Sequence, residues 1–338
     1  MLALVGTCSN KNFKAKIEDA KKSVEIEKST TLLKYANTIT NEELKTHLYQ
    51  YASDEFEGRA TGSKGQRKAA QFIANYYKSQ NIPSPIKGLG YFQTVPASYL
   101  GTNFDKSENV LAYIKGTEKP NEVVIISSHL DHEGIDKNGN IFYGADDDGS
   151  GTVAMMEMAQ AFKLAEKDGF APKRSILFLH VTAEEIGLQG SRYYTENPIF
   201  DLDKTVANLN IDMIGRIDGY HKEDDDYVYL IGSDRLSTQL HFLSENVNDL
   251  YFNLNLDYKF NKYNEPNRYY YRSDHYNFAK NNIPVIFYFN GEHEDYHKIT
   301  DTPDKIDYPL LEKRTKLIFS TAWELANRDK RIIVDKSQ

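Results

Sequence analysis

"EVVIISSHLDHEG", residues 122–134, runs from a β-branched stretch straight into His129, Asp131, His132 and Glu133. A short apolar run of this kind reads as a buried strand. In open α/β sheets, ligands bind beyond the carboxyl ends of the strands. The groups just past each strand therefore carry the most chemical information. "RSILFLHVTA" (174–183) is succeeded by Glu184 and Glu185. "TVANLNID" (205–212) ends in Asp212. "IPVIFYFNG" (283–291) leads into a segment holding His293 and His297. Each of these strands stops at a carboxylate or an imidazole.

Helices fall between the strands. "GTVAMMEMAQAFKLAEK" (151–167), "RLSTQLHFLSENVNDL" (235–250) and "YPLLEKRTKLIFSTAWELANR" (308–328) read as helices, and "SRYYTEN" (191–197) as a short one. "NVLAYIKG" (109–116) and "YVYLIG" (227–232) read as further strands. In "GQRKAAQFIANYYKSQNI" (65–82), Ala69, Ala70, Phe72, Ile73 and Tyr76 recur at helical intervals. Residues 9–48 are polar with few apolar anchors, and residues 80–107 read as a long connection. Strands alternating with helices predict an α/β fold, with a mixed, mostly parallel central sheet and helices on both faces. There is no internal repeat. The expected organisation is one domain over 21–335, with a small insertion near 215–275 and a lead-in over 1–20.

The chain has 338 residues and a net charge of −8. That balance argues against nucleic-acid binding, which asks for a basic face. No apolar run reaches the ~20 residues of a membrane helix. A single cysteine, Cys8, excludes an internal disulfide and a cysteine-based zinc site. "MLALVGTCSN" (1–10) is similar to the end of a bacterial lipoprotein signal, in which the cysteine is lipidated. It departs from that pattern at Thr7 and in having no basic residue before the apolar run. The expectation is export to the periplasm or cell envelope, with Cys8 as the anchor. The 24 tyrosines suit either packing or a groove for peptide or sugar.

"GADDDGSG" (144–151) sets three carboxylates side by side between glycines. An ordinary turn needs one Asp. So many acids at one sheet edge ask for cations, and mixed imidazole and carboxylate groups suit zinc, with manganese or cobalt as substitutes. The spacing of Asp146, Asp148, Ser150, Gly151 and Glu157 also matches a calcium-binding EF-hand loop, but "GNIFYGA" is no entry helix. Taken singly, Glu133, Asp136, Asp146 and the run at 223–227 read as solvated loop or cap groups. His132, His180 and His293 read as structural or exposed, and His275 as either packing or a substrate contact.

The ordered set "SSHLDH", "GADDDGSG", "TAEEIGLQGS", "NIDMIG", "SDHYNF" and "DYHKITDTPD" resembles the co-catalytic dizinc exopeptidases. That metallopeptidase family, the twenty-eighth, includes bacterial leucyl aminopeptidases, glutamate carboxypeptidase and the transferrin-receptor ectodomain. "YASDEFEGRATGSKGQRKAAQFIANY" and "SENVLAYIKG" are similar to its lead-in segment, so the resemblance covers roughly 50–325. It implies two zinc ions. His129 and Asp212 would serve one, Glu185 and His297 the other, and Asp147 would bridge both. Glu184 would be the general base acting on a metal-activated water, and Asp131 would support the site from behind His129. The Asp147–Asp148 peptide would be cis. The implied activity is an aminopeptidase acting on peptides with a free N-terminus. The alternatives are a carboxypeptidase, for which no basic cluster is evident, and a zinc glutaminyl cyclase, which lacks the full five-ligand set. Loss of ligands, as in the receptor relatives, would leave a binding domain. Tyr269, Tyr270, Tyr271, Phe287 and Tyr288 are expected either in a specificity pocket or in the core.

Overall fold

The computed structural model describes residues 15–88 and 90–337. Cys8 lies outside them. Eight strands form one sheet: β1 (Phe92–Val95), β2 (Ser107–Ile114), β3 (Lys119–His129), β6 (Arg174–Val181), β7 (Thr205–Ile211), β8 (Tyr227–Ile231), β9 (Asn255–Asp257) and β10 (Val285–Phe289). A separate two-stranded ladder joins β4 (Gly134–Ile135) to β5 (Ile141–Phe142). The order in the large sheet is β1-β2-β6-β3-β7-β10-β8-β9. Its centre, β6-β3-β7-β10, is parallel; β1, β2 and β8 pair antiparallel, and β9 runs parallel to β8. Parallel neighbours end together. His129 stands opposite Val181, and Ile211 opposite Tyr288.

The flanking helices have bounds Thr30–Ala36 (α1), Asn41–Tyr51 (α2), Lys64–Ser79 (α3), Ala97–Leu100 (α4), Gly151–Lys167 (α5), Gln189–Glu196 (α6), Thr238–Tyr251 (α7), His275–Ala279 (α8) and Tyr308–Asn327 (α9). Strand residues alternate between the two faces. Val124, Ile126, Leu209, Ile211 and Ile286 pack on α3, α5, α7 and α9. Val123, Ile125, Leu177, Leu179 and Phe287 pack on the opposite side with Tyr194 of α6 and Phe278 of α8. Phe162 of α5 meets Phe319 of α9 at 4.5 Å between ring centres. Helices therefore cover both faces, as the alternation predicts.

The polar segment before residue 48 has few apolar anchors, but they are put to use. Leu32, Tyr35, Leu44 and Leu48 are fully buried or nearly so. Ser29 and Thr40 cap the two helices, accepting from the amides of Leu32 and Glu43. The expected long connection at 80–107 hides β1 and α4. Four residues at a sheet edge leave too little periodicity to read. Residues 215–275 contribute β8 and β9 to the main sheet.

Arg59 fixes where two loops meet. It is buried, and its guanidinium donates to the carbonyls of Leu130 (3.2 Å), Tyr143 (2.7 Å) and Gly144 (2.8 Å) while resting on the Tyr51 ring. This joins the loop after β3 to the glycine that opens the acidic turn. Bonds to a charged donor contribute ~1.5–3 kcal/mol, desolvation of the buried guanidinium offsets much of their sum, and a buried carbonyl left unpaired costs ~1–3 kcal/mol. Arg59→Met should lower the free energy of unfolding by about 2–4 kcal/mol in urea denaturation. A loss under ~0.5 kcal/mol would place it with ordinary surface changes and contradict this role.

A candidate metal centre at the strand ends

The three adjacent aspartates have different fates. Gly144 adopts φ +53, and a Cβ there would fall 2.2 Å from the Asp147 carbonyl oxygen, so only glycine fits. Asp148 accepts the amides of His129 (3.1 Å), Gly151 (3.0 Å) and Met213 (3.1 Å). Asp146 is fully buried, contrary to the expectation of a solvated group. Its Oδ1 accepts the amide of Gly215 at 2.7 Å, and its Oδ2 lies 3.2 Å from His293 Nε2. Asp301 in turn accepts the amides of Asp146 and Asp147. Asp146 and Asp148 thus hold the turn. The Asp147–Asp148 peptide is cis. Glu157 turns away toward His47 and Tyr76, which removes the EF-hand pattern.

Asp147 is the aspartate left facing outward from the turn. Its Oδ1 lies 3.1 Å from His129 Nε2, which is also 3.6 Å from Asp212 Oδ1. Its Oδ2 lies 3.1 Å from His297 Nε2, which is 3.3 Å from Glu185 Oε2. The structure therefore brings His129, Asp147, Asp212, Glu185 and His297 together as two half-sites sharing one carboxylate. Their donor atoms form overlapping clusters able to hold metal: His129 with Asp147 and Asp212, and Glu185 with Asp147 and His132 or with His297 and Glu133.

The donor set passes a test of chemistry. His129 Nδ1 sits 3.1 Å from the Asp131 carbonyl, which can only accept, so Nδ1 donates there and Nε2 is the nitrogen turned to Asp147 and Asp212. His129 Nε2 and Asp147 Oδ2 are buried, and neither makes a hydrogen bond among the described residues despite the close approaches. Buried polar atoms are rarely left this way. A divalent cation held between such groups satisfies them, and imidazole with carboxylate suits zinc.

The backbone is bent sharply around the ligand positions. Ala183, immediately before Glu184, has φ +58; Met213, after Asp212, has +66; His297 itself has +53. Non-glycine residues adopt this region infrequently, and such residues gather at functional sites. Gly187 and Leu188 donate their amides to the Glu184 carbonyl, which closes the turn carrying the two glutamates. A Glu184 carboxylate oxygen lies within 4.8 Å of the His129 and Glu185 donor atoms.

Two neighbours behave differently from expectation. The Asp131 carboxylate is 3.9 Å from His129 Nδ1, too long for a hydrogen bond. It instead accepts the Glu184 amide at 3.1 Å and the Thr61 hydroxyl at 2.8 Å. His132, expected to be structural or exposed, sits inside the cluster 2.8 Å from Glu185 Oε1. No spacing rule would single it out beside His129. His180 is buried against the Tyr77 hydroxyl, and His275 stacks on Phe287.

Protein charges alone polarise the site strongly. Burial opposes ionisation of Asp147, but contacts with His129 and His297 outweigh it and hold the group well below the ordinary carboxylate range. Glu185 is likewise lowered to about 2: burial and repulsion from Asp147 oppose this, and His132 and His297 overcome them. His297 is raised to about 10 despite burial, through Asp147 and Glu185. Glu184 goes the other way: burial, reinforced by Glu185, Asp212 and Asp274, pushes it well above the usual range. Adjacent glutamates thus differ in kind.

A cavity beside Asp212 is lined by Met213, Tyr269, Arg272, Phe287, Phe289 and Tyr296, with Arg272 paired to Glu292 at 3.0 Å. Tyr269 and Phe287 thus line a pocket, whereas Tyr288 is core.

Comparison with known proteins fits this geometry. In sequence the chain is 37% identical over 126 residues to the probable glutamate carboxypeptidase LAMP1 of Arabidopsis thaliana, covering 37% of this chain and 17% of that protein. It is 32% identical over 188 residues to leupeptin-inactivating enzyme 1 of Streptomyces exfoliatus, covering 54% and 38%. The chain thus matches well under half the length of these two relatives. In structure it is similar to the LapA aminopeptidase of Legionella pneumophila, with a TM-score of 0.69 at 21% identity over 91% of this chain and 77% of that one. The model of Peptidase family M28 matches residues 109–322, a span that contains every one of the clustered carboxylates and imidazoles, and the chain belongs to that family.

Proposed function

We propose that the chain is a two-metal aminopeptidase. One observation carries this reading: the two oxygens of Asp147 face separate imidazole–carboxylate sets, and His129 Nε2 and Asp147 Oδ2 are buried with no hydrogen bond among the described residues. His129 and Asp212 would hold one divalent ion, Glu185 and His297 the other, with Asp147 between them. Aminopeptidases among the structural neighbours, LapA included, and the family's peptidase activity support the same class.

Divalent ions held there would lower the pKa of water and polarise a scissile carbonyl. The protein's own groups do the rest. Glu184 is next to the donor set but is not needed to complete either half-site. Burial raises its proton affinity, so it can take a proton from water and return it to the leaving amine. The Asp131 carboxylate fixes the Glu184 backbone, and with it the base. The cavity walled by Tyr269, Phe287, Phe289 and Tyr296 lies beside Asp212 and would take the substrate's first side chain. The surplus of carboxylates around it favours a terminal amine over a neutral cap.

Glu184→Gln should keep two metal ions per chain by elemental analysis while kcat falls by ~10²–10⁴, because an amide cannot accept the proton. Glu185→Gln should instead weaken metal uptake. Full activity in Glu184→Gln would remove Glu184 as the base. Leu-p-nitroanilide should be hydrolysed and its acetylated form hardly at all, with discrimination up to ~10⁴. Residues lost from the carboxyl end of a capped peptide, or a pyroglutamyl product from a Gln-initiated one, would overturn the aminopeptidase reading.

A further inference from the structure

The two carboxylate oxygens of Glu185 have different neighbours. Oε2 is 3.3 Å from His297 Nε2, which itself lies 3.1 Å from Asp147 Oδ2. Oε1 is 2.8 Å from His132 Nδ1. The distance from that nitrogen to Asp147 Oδ2 is 3.7 Å, beyond hydrogen-bond length. The His132 side chain is fully buried; its ring packs so closely over Gly144 that a Cβ there would fall 2.6 Å from its Cγ and Cδ2, and its amide donates to the Arg59 carbonyl at 3.2 Å. The His297 ring stands edge-on to it at 5.9 Å. Nε2 has no hydrogen-bond partner among the described residues, so the ring's close polar contact is with Glu185.

We infer that His132 is a positioning residue for the second half-site: its Nδ1–H engages Glu185 Oε1, so that Oε2 alone is presented beside Asp147 Oδ2 and His297 Nε2. A free glutamate side chain has several rotamers and two equivalent oxygens. Its ordering has an entropic cost that any metal binding must overcome. A fixed donor on one oxygen removes that freedom before an ion arrives. Groups that orient metal ligands in this way typically change affinity by 10–100-fold. Sequence position gives no hint of this. His132 precedes Glu185 by 53 residues and meets it only because β3 and β6 are parallel neighbours.

The inference rests on the two-ion reading of the site, and the test separates the two. The whole chain is stripped with chelator and titrated with Zn²⁺ by calorimetry. Wild type should bind two ions. His132→Ala should weaken one of the two steps by 10–100-fold and leave the other unchanged. His132→Asn, whose amide N–H reaches a place close to that of Nδ1–H, should restore most of the loss. X-ray absorption of the zinc-loaded wild type should count two imidazoles per chain, those of His129 and His297. Three would make His132 a direct ligand and overturn the inference. Wild type taking two ions, with His132→Ala matching it in both steps, would overturn it as well and leave the two-ion reading standing. Wild type taking one ion or none would overturn both. Circular dichroism checks that the variants fold, and if His132→Ala does not, the imidazole count and His132→Asn against His132→Leu decide.

Discussion

One buried carboxylate sets the geometry on which the site depends. Asp148 accepts three backbone amides, from the end of β3, the first turn of α5 and the turn after β7. Burial pushes this carboxyl well above the usual carboxylate range. A polar group at that depth is costly unless its oxygens are hydrogen-bonded, and three N–H donors satisfy them. The dependence runs both ways, because amides at the point where strands end need a partner from elsewhere. The carboxylate therefore pins three elements to a common point. The spacing of His129, Asp147 and Asp212 results from this, because each is within one residue of a pinned amide or of Asp148 itself.

The same logic divides the negative charge of residues 146–148. Asp146 and Asp148 are spent on backbone, which leaves Asp147 as the acid whose two oxygens face the cleft. The loop after β10 is held by a second charged set. Asp301 takes the amides of Asp146 and Asp147, while Arg216 and Lys305 flank Asp295 at 2.9 and 2.6 Å. His297, at a left-handed φ, lies two residues past Asp295 in this clamped loop. Clamping a loop at both charged groups restrains the ring it carries, as the proposed role of a metal ligand asks.

The ends of the central strands were legible because buried parallel strands read as continuous apolar runs, and the groups after them stand out by chemistry. β1 and β9 were not, being three or four residues at sheet edges. The five clustered groups His129, Asp147, Glu185, Asp212 and His297 could be named from motifs in order. Asp146 could not be told from a solvated turn residue, since its burial is created by Gly215, His293 and Asp301 from distant parts of the chain. The same holds for His132. A histidine beside a stronger candidate has no local signal, and its partner lies past the end of another strand.

Register explains how two adjacent glutamates come to be held differently, as the proposed roles of base and ligand ask. His129 pairs with Val181, an offset of 52 (181 − 129). Asp131 then meets Glu184, and His132 meets Glu185, each at an offset of 53. The left-handed Ala183 lies in the interval where the extra residue enters. Consecutive residues on one strand's extension thus hold consecutive residues on its neighbour's. Asp131 grips the backbone of Glu184 and leaves that side chain free to move a proton. His132 grips the side chain of Glu185 and leaves it little freedom at all. A base must exchange its proton with water and substrate, whereas a ligand must stay put. The difference between the two glutamates is imposed by the residues that extend β3: a one-residue slip between β3 and β6 would set His132 against Glu184 or Asp131 against Glu185 and leave the other glutamate without its support.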